Sequence, residues 1–221
     1  LRDSDTLYPL LGIVLGRRAG STVAAIDGLL AGQSEDRLKA LGAAAASSGS
    51  VAMFHVIGST PEAPTLEAAL QGAEPDAVEV IALADLRAVR DELTTAAGEA
   101  LGAVSLGTPH ASAVELAHYV ELLDGRRISS EVQLLVSTGR DVLDASPGSA
   151  RALEDAGATL LTDTCSYIAP ILRPGDGAVM TDSAKWAYYA PGNVGASVVF
   201  GSTTECIESA VAGRVVREEW A

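Results

Sequence analysis

"EVQLLVSTGRDVLDASPGSARALEDAGATLLTD", residues 131–163, decides the fold. Its first nine residues, "EVQLLVSTG", form a short apolar run with the composition of a buried strand. Ser146 followed by Pro147 marks a helix start, because the fixed φ and missing N–H of proline suit a first helical turn. Gly157 marks the stop, and "GATLLTD" (157–163) is a second strand-like run. Strand, capped helix and strand in this order are the grammar of an α/β protein with a mostly parallel sheet.

The same grammar extends in both directions from about residue 50. Upstream, "SVAMFHVIG" (50–58), "DAVEVIAL" (76–83) and "LGAVSLG" (101–107) read as strands. Thr60 and Pro61 are expected to start a helix over "PEAPTLEAALQG", and another is expected over Asp85–Ala97. Ser112 with Glu115 forms a capping box that opens a helix through Leu123. Downstream, "GAVMTD" (177–182) and "GASVVFG" (195–201) supply further strands, and Ser202 with Glu205 caps a helix that Gly213 ends. Residues 1–49 read as mainly helical, with Ser34 capping "EDRLKALGAAAASS". Gly12, Gly16 and Gly20 follow no strand, so they are read as close helix packing and not as a nucleotide fingerprint. The expected division is therefore 1–49, a helical segment continuing an upstream part, and 50–221, an α/β catalytic portion. The absence of an initial methionine adds to the expectation of a longer polypeptide.

A net charge of −14 argues against nucleic acid or an anionic membrane face as a partner. No apolar run approaches the roughly 20 residues of a membrane span. Two cysteines are too few for a disulfide framework, and with no basic-then-apolar opening they fit a cytoplasmic location.

Ligands of open parallel sheets bind beyond the carboxyl ends of the strands, so those ends hold the candidates. They carry His55 and Glu62, then "GTPH" (107–110) with His110, then "STGR" (137–140) with Ser137 and Arg140. The later ends carry "DTCSY" (163–167) with Cys165, "TDSAKWAYY" (181–189) with Ser183, Lys185 and Tyr188, and "GSTTEC" (201–206) with Cys206. Each has a plainer reading. His55 can be a hydrogen-bonded core histidine, Glu62 a carboxylate favoured in a first helical turn, and Arg140 a partner of Asp141 or Asp144. Ser183 and Lys185 lack the additional serine motifs of a Ser–Lys hydrolase. Cys206 falls in the first turn of a capped helix, where the dipole favours a thiolate. Trp186 is expected to pack, with Tyr188 or Tyr189 walling a pocket.

"TDSAKWAYYAPGNVGASVVFGSTTECIESAVAG" (181–213) resembles the carboxyl-terminal signature of the aconitase X family. "FHVIGSTPEAPTLEAAL" (54–70), "GTPHASAVELA" (107–117), "STGRDV" (137–142) and "DTCSY" (163–167) resemble its other blocks in the same order. The resemblance implies an aconitase-superfamily α/β fold with flanking helices and a hydro-lyase activity on a small hydroxy-carboxylate. Bacterial members are typically cis-3-hydroxy-L-proline dehydratases, and archaeal ones include a mevalonate 5-phosphate dehydratase. Archaeal members often carry Cys in the block where this chain has Thr108, which leans the reading toward hydroxyproline. The family implies an iron–sulfur cluster on three cysteines, [2Fe–2S] in preference to [4Fe–4S], with Cys165 and Cys206 as two ligands and the third outside this chain. It also implies two missing partners, the upstream part of the large subunit and a small swivelling subunit or domain thought to supply a serine base. Lys185 and Arg140 would hold the substrate carboxylate, with Lys185 also counted as catalytic. His55, Glu62 and His110 would orient substrate or move protons, Ser137 and Ser183 would donate hydroxyls, and Tyr188 would line the pocket. The rival reading is a non-catalytic α/β domain that binds a small ligand or a partner chain.

Overall fold

The computed structural model describes residues 4–98, 100–172 and 177–218. Contacts divide the chain into two units, Leu1–Val89 and Arg90–Ala221.

The first unit holds α1 (Leu7–Ala19), β1 (Ala24–Ile26), α2 (Glu35–Ser48), β2 (Phe54–Val56) and α3 (Leu66–Leu70), and α4 (Leu83–Leu93) begins within it. Two glycines of α1 set the α1–α2 approach. A Cβ at Gly12 would stand 2.3 Å from the Leu41 carbonyl oxygen, and one at Gly16 would stand 2.2 Å from Ser48 Oγ. Ser34 caps α2 as expected, its hydroxyl accepting from Arg37 N at 3.2 Å.

Four expectations fail in or near this unit. The strand at 54–56 pairs in parallel with β1 and not with the main sheet, so residues 50–89 belong with the helices and the expected division at residue 50 falls inside a unit. Thr60 starts no helix: its hydroxyl turns back to accept from Val56 N at 3.1 Å. Pro64, which would collide with the carbonyl four residues back in a helix begun at Pro61, leaves Thr65 to cap α3 instead. Residues 76–80 form no strand, and Val78 and Val80 are 81% and 83% exposed. The apolar alternation has no sheet edge beside it among the described residues, and Arg18 takes the Val80 carbonyl at 3.1 Å. The helix expected to reach Ala97 stops at Leu93, because Thr94 to Ala96 turn to the edge of the last strand: Thr95 N and Ala96 N both donate to Val198 O.

The second unit holds β3 (Leu101–Ala111), α5 (Ala113–Leu123), β4 (Gln133–Thr138), α6 (Arg140–Ala145), α7 (Pro147–Ala156), β5 (Thr159–Thr162), β6 (Ala178–Thr181), α8 (Ala184–Val194), β7 (Val198–Phe200) and α9 (Thr203–Ala212). The sheet has the order β5-β4-β3-β6-β7 with every pair parallel. One face carries the apolar core, where Val104, Leu106, Leu134, Val136 and Met180 meet Leu116 of α5, Leu153 of α7 and Ile207 of α9. Alternation of side chains sends Ser105, Ser137 and Thr181, all buried, to the other face. Both expected capping boxes are formed, Ser112 with Glu115 and Ser202 with Glu205. No helix among the described residues is long and apolar enough to cross a membrane.

Candidate active site

The strand order gives the candidate place for a site. The chain steps outward from β3 through β4 to β5, then returns to add β6 on the opposite side of β3. The carboxyl ends of β3 and β6 therefore flank a switch point, where connecting loops part and leave a crevice.

On the β3 side, pairing with β4 is regular to Leu106↔Val136 and resumes at Ala111↔Thr138, so "GTPH" stands out of register between them. Gly107 has φ +74°, and a Cβ there would lie 2.1 Å from the Ser137 carbonyl oxygen. Only glycine lets β3 press against β4 at this point. Thr138 Oγ1 donates to Ala111 O at 2.7 Å and closes the irregular stretch. His110 is half-buried, and Ser137 is 1% exposed at the adjacent strand end.

On the β6 side, Ser183 caps α8 by accepting from Trp186 N at 3.1 Å, and Ser183 N donates to Thr181 Oγ1 at 3.2 Å. Lys185 is the second residue of α8 and half-buried, with no ion pair to a described acid. Trp186 is fully buried, as expected, and its Nε1 donates to Ser166 Oγ at 2.8 Å. Ser166 in turn shares a 2.8 Å hydrogen bond with Ser105 Oγ, which pins the loop after β5 across the centre of the sheet. Tyr167 of that loop stacks on Tyr189 at 5.7 Å, and Tyr188, 42% exposed, meets Tyr189 edge-on. The Tyr167 phenol is pushed up by burial and then by the neighbouring Cys165 thiol. The sequence reading passed over Ser105 and Ser166, although serine and threonine recur at every end of the main sheet.

Arg140 opens α6 with its side chain 74% exposed, and it pairs with Asp163 at 2.5 Å instead of Asp141 or Asp144. His55 lies half-buried on β2, in the first unit, with Nδ1 buried and without a hydrogen-bond partner among the described residues. Glu62 belongs to the same unit, exposed in a turn, and so lacks the helical first turn expected for it.

The cysteines diverge. Cys165 is partly exposed, whereas Cys206 is fully buried in the apolar core beside Ile207. Burial, then Asp182 and Glu205, push the Cys206 thiol well up. Desolvation thus opposes the thiolate that the helix dipole favours. Among the described residues no three His, Cys, Asp or Glu side chains come together to hold a metal.

Residues 101–212 match the aconitase X third domain, and residues 2–91 match the aconitase X second domain. The chain belongs to the aconitase X family. The two matched domains coincide with the two structural units, with the join near residue 90. The chain is 43% identical over 215 residues, 95% of its length, to a cis-3-hydroxy-L-proline dehydratase of Pseudomonas aeruginosa, of which it spans 37%. It is 36% identical over 214 residues, 97% of its length, to a phosphomevalonate dehydratase large subunit of Methanosarcina mazei, of which it spans 50%. The structure of Thermococcus kodakaraensis aconitase X in its holo-form superposes with a TM-score of 0.76 at 28% identity, over 95% of this chain and 53% of that one. This aconitase X chain thus spans about half or less of the proteins it matches, and those curated relatives are dehydratases.

Proposed function

We propose that this chain is the second and third domains of an aconitase X hydro-lyase that converts cis-3-hydroxy-L-proline to Δ1-pyrroline-2-carboxylate. The observation that carries the reading is the 43% identity to the Pseudomonas aeruginosa enzyme along nearly the whole chain. The switch point supports it chemically. Lys185, uncommitted to a described acid, can hold a carboxylate at the start of α8, and the hydroxyls of Ser137 and Ser183 line the same strand ends. Dehydration requires that a base remove the proton beside the carboxylate and that an acid or Lewis acid receive the departing hydroxide. His110, half-buried after β3, is the candidate for a proton-handling role in this unit, and His55 and Glu62 are the candidates of the other. Tyr188 extends the wall beside Tyr189. Arg140 can contribute to the carboxylate only by leaving Asp163.

The proposed enzyme is cytoplasmic and is completed by an upstream domain and a small swivelling subunit or domain. An iron–sulfur centre, [2Fe–2S] in preference to [4Fe–4S], belongs to it only with a third ligand from outside residues 1–221, joining Cys165 and Cys206. The second reading, phosphorylated mevalonate as substrate, is favoured by the 36% identity to the Methanosarcina mazei large subunit. Side-by-side turnover assays of the complete enzyme separate the two. Dehydration of cis-3-hydroxy-L-proline is the expected result, mevalonate 5-phosphate alone being turned over would reverse the assignment, and turnover of neither would sink both.

A further inference from the structure

Thr108 and Ser137 share a property that the other buried hydroxyls of the sheet's carboxyl edge lack. Thr108 is 6% exposed and Ser137 1% exposed, yet neither Thr108 Oγ1 nor Ser137 Oγ has a hydrogen-bond partner among the described residues. Their neighbours are all engaged: Ser105 with Ser166, Thr138 with Ala111 O, and Ser183 with Trp186 N. A buried hydroxyl without a partner is costly and uncommon. Two of them on adjacent strand ends require an explanation.

The backbone places the two residues at the ends of adjacent strands. Gly107 packs against the Ser137 carbonyl at a distance no side chain tolerates, and Thr108 is the next residue, at the start of the out-of-register stretch. Both residues lie on the strand that borders the switch point or on the strand beside it. We infer that Thr108 is a substrate-binding residue that acts with Ser137, their two hydroxyls together receiving one oxygen of a small hydroxy-carboxylate. Each hydroxyl can donate to a carboxylate oxygen, which has lone pairs for both. This assignment deepens the proposed function and rests on it, because it names a contact of the same site.

The two explanations of an unpartnered buried hydroxyl differ in what its removal does. If ligand is the missing partner, Thr108→Val keeps the shape, leaves the thermal midpoint of the ligand-free complete enzyme unchanged or raised, and weakens binding. The expected rise in KM for cis-3-hydroxy-L-proline is roughly tenfold to a hundredfold, with a smaller change in kcat. Thr108→Ser restores KM toward wild type, and Ser137→Ala repeats the Thr108→Val result. If a structural water shared by the two hydroxyls is the partner, Thr108→Val lowers the midpoint and leaves KM alone, and the inference is wrong. An unchanged KM and an unchanged midpoint together also overturn it, while the proposed reaction stands. A wild-type enzyme that dehydrates neither substrate overturns the proposed reaction and this contact with it.

Discussion

A lysine in the first turn of a helix stands against its own electrostatics, because the positive end of the helix dipole disfavours a cation there by about 0.3–1 kcal/mol. Lys185 occupies such a place in α8, half-buried and without an ion pair to a described acid, in a chain of net charge −14. An anion at the same helix start is the chemistry that offsets this cost. In the complete enzyme, Lys185→Met is expected to lower kcat/KM at least tenfold by steady-state assay, with Lys185→Arg recovering part of it; a change within a few-fold would remove Lys185 from the site. The cysteines give a second prediction. With its thiol driven up by burial, Cys206 should resist an aromatic disulfide reagent in the native, cluster-free protein at mildly alkaline pH, while the partly exposed Cys165 reacts. Two fast-reacting native thiols would contradict that burial. The sequence made Lys185, Ser183 and His110 legible as strand-end residues because position after a strand is local information. The thiolate reading of Cys206 rested on the helix start, which is local, whereas the burial that opposes it is not. It gave Thr108 no role, because an unpartnered hydroxyl is visible only once every neighbour's hydrogen bonds are known.

Elements whose boundaries depend on short-range chemistry came through best. Ser34, the Ser112–Glu115 box and the Ser202–Glu205 box act where the residue pattern places them. The glycines of α1 were also readable, and their consequence is testable. Gly16→Ala would drive a Cβ to 2.2 Å from Ser48 Oγ and 2.6 Å from the Ala45 carbonyl, so α1 and α2 must separate. A loss of about 1–3 kcal/mol is expected, read as a lower thermal midpoint. Residues 76–80 show the opposite case, since alternation announces a strand only if an edge is present to receive it. Between α5 and α9, the guanidinium of Arg126 grips Glu208 at 2.6 Å and 2.9 Å while its Nε and Nη2 donate to the carbonyls of Leu123 and Leu122. Arg126 holds the Glu208 carboxyl below the usual carboxylate range. A lowered folded value means stability present above the ordinary carboxylate pKa and lost as pH falls through the lowered one. Both side chains are more than a third exposed, which limits the effect to about 0.5 kcal/mol. Glu208→Gln should therefore destabilise the protein slightly at about pH 7, and the difference from wild type should close toward about pH 3. A difference that stayed constant across that range would mean the charge is not what Arg126 recognises.

For the molecule as a whole, the α/β class and the parallel sheet were legible, but the division of the chain was not. β1 is only three residues, "AAI", too short to announce that it would claim β2. The structural division at residue 90 makes a sharper statement than the family match that starts at residue 101. Residues 90–100 supply two things to the sheet unit. Thr95 N and Ala96 N donate to Val198 O, and the hydroxyls of Thr95 and Thr94 accept from Val198 N and Phe200 N at 2.9 Å and 3.2 Å, covering the free edge of β7. Arg90 reaches the buried Glu205 carboxylate at 3.2 Å, which also accepts from Ser202 N and Glu218 N. A chain of residues 90–221 keeps both, and it is expected to fold with one cooperative urea transition. A chain of residues 101–221 loses both: an edge strand is bared, and Glu205 keeps its burial without its cation, a change that costs about 3–5 kcal/mol when one partner of a buried pair is removed. The shorter chain should unfold at much lower urea or fail to fold, and Arg90→Met in the longer chain should reproduce a large part of the loss. Equal midpoints for the two chains would show that the segment before β3 is a linker and that the family boundary is the physical one.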